Sequence, residues 1–182
     1  MPQLHQTTLA PIRSAEPSFL VSICSNSDAK ADLPTFNAAN FSFVVPNSAL
    51  LQQVSKVVPV MVRISNSFVL SALQPTFPQI IYVALDGTLG GNMVDTKTGV
   101  AYEILCALPI DVLSGRSHTF YGPDLFLWDI DYHTPRDLSR VSIKLLDENF
   151  TPIHLDSVDQ SDVPMKTSVT LILKCFHRAF VR

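Results

Sequence analysis

The segment Arg140–Asp147 constrains this chain more than any other. Val141, Ile143 and Leu145 alternate with Ser142 and Lys144. That period-2 pattern is the signature of a strand with one face buried. Asp147-Glu148-Asn149-Phe150 then interrupts it with turn-favouring residues, and Thr151 to Leu155 resumes extended character. The same grammar runs through residues 107–157, which read as strands separated by loops and contain few residues of catalytic type. A chain assembled from such units is a β-sandwich or barrel.

Further strands are expected where alternation recurs. Phe19, Val21 and Ile23 alternate with Leu20 and Ser22, and Phe41 to Val45 is short and apolar. Val54 to Phe68 is long, with Val58, Val60, Val62 and Ile64 expected on one face and Met61 and Arg63 on the other. Pro59 within it implies an edge position or a bulge. Gln79 to Leu85, Leu125 to Ile130, Val141 to Leu146, Pro152 to Leu155 and Val169 to Phe176 complete the clear set. Residues 102–110 fit both a helix, with Val100, Ile104 and Leu108 at i, i+4 and i+8, and a buried strand ended by Pro109. Asn26 to Asn40 and Leu89 to Gly99 read as loops. About eight to ten strands fit a jelly roll or a related Greek-key sandwich.

Residues 1–17 contain Pro2, Pro11 and Pro17 and show no periodicity. They read as an extended N-terminal arm, disordered or laid along a neighbour, ahead of one domain over 18–182.

Only 16% of residues are charged, against the usual quarter, so a large core is available and the surface is weakly charged. Such an exterior favours association. The net charge is −3 and the 13 Lys and Arg are scattered, which argues against direct nucleic-acid binding. Cys24, Cys106 and Cys175 have no CxxC spacing and read as reduced thiols, implying a soluble protein made in a reducing compartment. No signal peptide and no transmembrane run of 18 apolar residues is found.

The candidate chemistry is thin. Asp129, Asp131 and His133 alternate and would share one face of a strand, as metal ligands do. The plainer reading is the polar end of a strand entering a His133-Thr134-Pro135 turn. Asp86-Gly87-Thr88-Leu89-Gly90-Gly91 lacks the spacing and following helix of a phosphate loop. Ser114 and Ser65 have no nucleophile-elbow context, and Trp128 reads as a core or interface anchor. His5, His118, His133, His154 and His177 form no ligand pair. Catalytic, cofactor-binding and metal residues are therefore expected to be none.

Three blocks in order resemble a viral family. Residues 40–68, NFSFVVPNSALLQQVSKVVPVMVRISNSF, resemble the opening strands of small capsid proteins of large double-stranded DNA viruses and their satellites. Residues 103–115, EILCALPIDVLSG, are similar to the "ilakIPi" strand of penton-type single jelly-roll proteins. Residues 137–155, DLSRVSIKLLDENFTPIHL, are similar to their hairpin before the last strand, here SVTLILKCF. The hairpin turn has Phe150 where those proteins usually have Gly. The resemblance, to the virophage-like and adenovirus-type capsid lineage, implies an all-β single jelly roll with no enzymatic residues. It further implies a penton homopentamer at icosahedral vertices that contacts major and minor capsid proteins in the virion capsid, assembled in the host cytoplasm or nucleus. A minor (cement) capsid protein beneath the shell is the nearest alternative. Two other classes use similar folds: a carbohydrate- or receptor-binding module with loop-tip aromatics such as Tyr121 and Tyr132, and a cupin-like metalloenzyme using Asp129, Asp131 and His133.

Overall fold

The computed structural model describes residues 17–28, 37–45, 49–65, 78–86, 92–110, 117–122, 126–127, 130–153, 155 and 168–177. Eleven strands are described: β1 Ser18–Cys24, β2 Asn40–Val44, β3 Val54–Ser65, β4 Ile80–Asp86, β5 Met93–Val94, β6 Ala101–Pro109, β7 His118–Tyr121, β8 Phe126–Leu127, β9 Ile130–Arg136, β10 Arg140–Leu146 and β11 Ser168–His177. They form two antiparallel sheets. The first runs β1-β11-β3-β7, with β9 also on β3; the second runs β2-β10-β4-β6-β5, with β8 also on β6.

This order is that of a jelly roll. β7 pairs with Met61–Ile64 and β9 with Val54–Val57, so the two share one strand position beside successive halves of β3. Counting them as one position, eight principal strands pair first with last (β1–β11), second with seventh (β2–β10), third with sixth (β3–β9) and fourth with fifth (β4–β6). Two Greek keys wound together give that nesting. The fold is all-β, as the sequence predicts.

The core lies between the sheets. Val141, Ile143 and Leu145 of β10 and Val169, Leu171 and Leu173 of β11 are all buried in one cluster, which includes Phe41, Phe43, Val62, Ile64 and Ile81. Residues 102–109 of the segment left open between helix and strand in the sequence lie in β6, and Ile110 follows it. Six consecutive residues of β6, Glu103–Leu108, are buried. A register shift at Val83/Ala84 faces Ile104 and Cys106 and passes over Leu105. Leu105 and Cys106 thus enter the main core, while Ile104 joins a second apolar cluster with Ala84 and Leu146.

Several expectations are corrected. Val58 and Val60 do not share the face of Val62 and Ile64: the buried residues of β3 are Val54, Val57, Pro59, Val62 and Ile64. The cause is a bulge. Leu173 pairs with Pro59 and Ile172 with Met61, leaving Val60 unmatched and reversing the alternation. The bulge also accommodates Pro59 in a central strand. Leu89 to Gly99 is not wholly loop, because Met93–Val94 pairs with β6. Of Pro152 to Leu155, Pro152 makes a single bridge to Leu146, and His154 lies outside the described residues. No turn begins at His133, since β9 runs on to Arg136 and tolerates Pro135 at its edge position. Between Leu125 and Ile130 only β8 and the start of β9 are described, and Trp128 lies outside the described residues. So do residues 1–16 of the expected arm and residues 87–91 of the Gly-rich stretch.

Two polar devices fix the connections. Asp147 pins the turn after β10: its carbonyl accepts from Phe150 N–H at 3.0 Å, and its carboxylate accepts from Asn149 and Thr151 N–H, both at 2.8 Å. Asn37 joins distant segments. Its Oδ1 accepts from Ala39 N–H at 2.9 Å and Leu155 N–H at 3.1 Å, and its Nδ2 donates to the Ile153 carbonyl at 2.9 Å.

Candidate assembly surface and interior polar site

Alternation along the first sheet sends one set of side chains inward and leaves the other on the outer face. Register aligns Ser22, Ile172, Met61 and Tyr121 in one row across β1, β11, β3 and β7, and Leu20, Lys174 and Val58 in the next. Leu20 is 66% exposed and Tyr121 56%, while Ile172, Met61 and Val58 are half-buried. The outer face therefore carries an apolar band, with Lys174 laid over the Phe176 ring at 5.1 Å. A second apolar group sits near the start of β10. Val44, Val45 and Leu50 are exposed. The Val45 N–H donates to the Ser139 carbonyl, and the Leu138 N–H donates to the carbonyl of Leu51. Large exposed apolar side chains gathered in this way mark contact surfaces more often than isolated ones do.

Interior chemistry centres on a residue that sequence reasoning did not single out. Glu103 is buried on β6 of the second sheet and accepts a hydrogen bond from the hydroxyl of Tyr132 on β9 of the first. The Arg136 guanidinium carbon lies 5.9 Å from the centre of the Tyr132 ring. Burial, and then the adjoining Glu103 carboxylate, raise the Tyr132 phenol far above its ordinary value, so it stays protonated and donates. The pair ties the sheets together through a satisfied polar contact. A lone carboxylate inside an otherwise apolar strand was the available signal for it. Tyr132 thus points into the sandwich and is no loop-tip aromatic; Tyr121 is exposed but belongs to β7.

Of the three candidate metal residues, two are described, Asp131 and His133, at alternate positions of β9. Asp131 is exposed and lies 3.9 Å from Lys56, His133 is exposed, and Asp129 lies outside the described residues. No group of three or more metal-ligating side chains occurs among the described residues. Burial pushes the Cys106 thiol up to about 12 and that of Cys175 to about 11, which suppresses thiolate chemistry at both. Cys24 is half-buried and lies 3.5 Å from the Thr170 hydroxyl. Among the described residues no helix is long and apolar enough to cross a membrane.

No family model matches the chain, and no curated protein matches it. Among solved structures it is similar to the crystal structure of Israel acute paralysis virus, at 14% identity and a TM-score of 0.23, over 97% of this chain and 83% of that one. At that score the jelly-roll assignment rests on the strand order and not on the neighbour.

Proposed function

We propose that the protein is a non-enzymatic virion structural subunit, a single jelly roll that forms homopentamers at icosahedral vertices and contacts major capsid proteins. The observation that carries this reading is the nested order β1-β11-β3-β9 against β2-β10-β4-β6. It joins the three sequence blocks that resemble penton-type proteins. The apolar outer band through Leu20, Met61, Ile172 and Tyr121 and the low charge supply surface suited to neighbours. Jelly-roll sandwiches present loops at both ends and faces at the sides, so copies can converge on an axis while their faces meet other subunits.

Residues 1–17 act in this reading as a tether to a neighbouring subunit. Deleting residues 2–15 is expected to leave the thermal midpoint unchanged and to weaken incorporation into particles.

Mass photometry of the purified chain tests the central assignment. A species at five times the 20.1 kDa monomer mass, and density for the chain at particle vertices, are expected. Density beneath the shell would assign it instead as a minor capsid protein. A monomer that binds defined glycans on an array would move the reading to a carbohydrate-binding module.

A further inference from the structure

The two sheets end differently on the side where β1 and β2 form their edges. At β2 the Asp28 carboxylate accepts from the Ser42 N–H at 2.8 Å and from its hydroxyl at 3.4 Å. A charged side chain thus occupies that edge, a common defence against strand addition. β1 has no such device of its own. Its sequence, Ser-Phe-Leu-Val-Ser-Ile-Cys, has no charge and no proline, and its seven residues pair with β11 without a bulge. It is the terminal strand of its sheet among the described residues, and it exposes Leu20.

The direction of its backbone groups follows from one bond. His177 N–H donates to the Pro17 carbonyl across the ladder at 3.1 Å. In an antiparallel pair the groups of successive residues alternate in direction. Those of Phe19, Val21 and Ile23 therefore face β11, and those of Ser18, Leu20, Ser22 and Cys24 face the open edge.

We propose that β1 pairs antiparallel with β1 of a second copy about a two-fold axis through Val21. That register sets Leu20 opposite Ser22 of the second copy and Ser18 opposite its Cys24, all four with edge-facing groups, so each pair exchanges two backbone hydrogen bonds. On the inner face Phe19 meets Ile23 of the copy and Val21 meets Val21. Phe19 and Val21 pack on the core but remain half-buried, so the copy covers apolar surface left open at this edge. On the outer face Leu20 comes diagonal to Leu20 of the copy, within side-chain reach. No like charges oppose each other, because the strand has none. The self-complementary register is what selects a second copy as occupant. The contact does not rest on the vertex reading, since a two-fold contact differs from the five-fold one.

The test uses the full chain. Sedimentation velocity over a concentration series should give a reversible association. Leu20→Lys adds a charge at the dyad. Ser22→Pro removes an edge-facing N–H and leaves the β11 ladder intact. Each should weaken the association at least about tenfold with unchanged circular dichroism. In the unaltered chain, amide exchange at Leu20 and Ser22 should slow as concentration rises, while exchange at Phe19, Val21 and Ile23 should not respond. That amide comparison decides the matter even where a variant fails to fold. A chain monomeric at every concentration overturns the proposal, as does association untouched by both variants. Protection of Leu20 and Ser22 at all concentrations also overturns it, by placing the chain's own residues on the edge. A pentamer without concentration-dependent protection at these amides overturns it and leaves the vertex reading standing.

Discussion

The ring of Phe150 stacks on that of Tyr82, 7° from parallel and 5.3 Å between centroids, although the Phe150 backbone is left-handed with φ +58°. Tyr102 stacks on Phe150 as well, at 5.1 Å and 13°. The turn position therefore has the conformation that favours glycine, and a bulky residue occupies it because its ring inserts between two tyrosines on the outer face of the second sheet. Left-handed backbone costs a non-glycine residue about 1–2 kcal/mol, and each aromatic contact returns about 0.5–1.5 kcal/mol.

Phe150→Ala keeps the backbone cost and loses both stacks. Phe150→Gly loses the stacks and relieves the cost. The Gly variant is thus expected to be more stable than the Ala variant by about 1 kcal/mol. Urea denaturation of the three proteins checks this, and an Ala variant at least as stable as the Gly variant would show that the backbone carries no strain.

Ile143 and Leu171 are fully buried on opposite sheets in the same cluster. Truncating either to Ala should cost about 2–5 kcal/mol. Leu20→Ala, on the exposed face, should cost less than about 0.5 kcal/mol by the same measurement. Equal losses at all three sites would contradict the inward and outward assignment of β1.

These core positions were legible because β10 and β11 alternate without interruption. The failures have local causes. On β3 a single unmatched residue reverses the phase, so Val58 and Val60 read as inward and lie outward. β7 has four residues and β9 contains Pro135, Asp131 and Arg136; both share an edge position, where a strand needs little apolar character. Glu103 escaped notice because periodicity ranks apolar residues and passes over a lone carboxylate. Its partner Tyr132 is 29 residues away in sequence, and only the pairing of the sheets brings them together. The outer apolar band was equally hidden, since it depends on the register of four strands.

Tyr132→Phe removes the hydroxyl and leaves the buried Glu103 without that donor. A cost of about 1–3 kcal/mol is expected. In a Glu103→Gln background the same change should cost less, giving a coupling of about 0.5–3 kcal/mol in a double-mutant cycle. Additive losses would mean that the two side chains do not act as a pair.

Alkaline stability should carry the mark of Cys106. The folded chain holds this thiol proton to about pH 12, whereas an exposed thiol loses it near pH 9.0. Above the lower value the unfolded state binds fewer protons than the folded state, so this group makes stability fall as pH rises toward the higher value. Below it the contribution is fully present. Cys106→Ala should therefore show a flatter decline from pH 9.0 upward than the unaltered chain, whatever its stability at neutral pH. Parallel profiles would mean that the thiol is accessible to solvent.

Val60 offers a direct check on the bulge. Leu173 and Ile172 are adjacent on β11, but their partners Pro59 and Met61 are separated by Val60. Deleting Val60 would match the two strands residue for residue from Lys56 to Ser65, leaving only the second irregularity, at Ser55. Pro59 would remain inward, Met61 outward, and Val62 and Ile64 inward, with the pairing of Met61–Ile64 to β7 unchanged. Deleting Val62 acts in the opposite way. It removes a buried side chain and shifts the phase of β3 between the bulge and Ile64, and a one-residue slip exchanges the faces of a strand. The Val60 deletion is expected to fold with the far-ultraviolet spectrum of the unaltered chain and a cooperative thermal transition. The Val62 deletion is expected to lose that transition. Equal damage from the two deletions would mean that the bulge is required, and that Pro59 cannot sit in a regular ladder even with its neighbours in register.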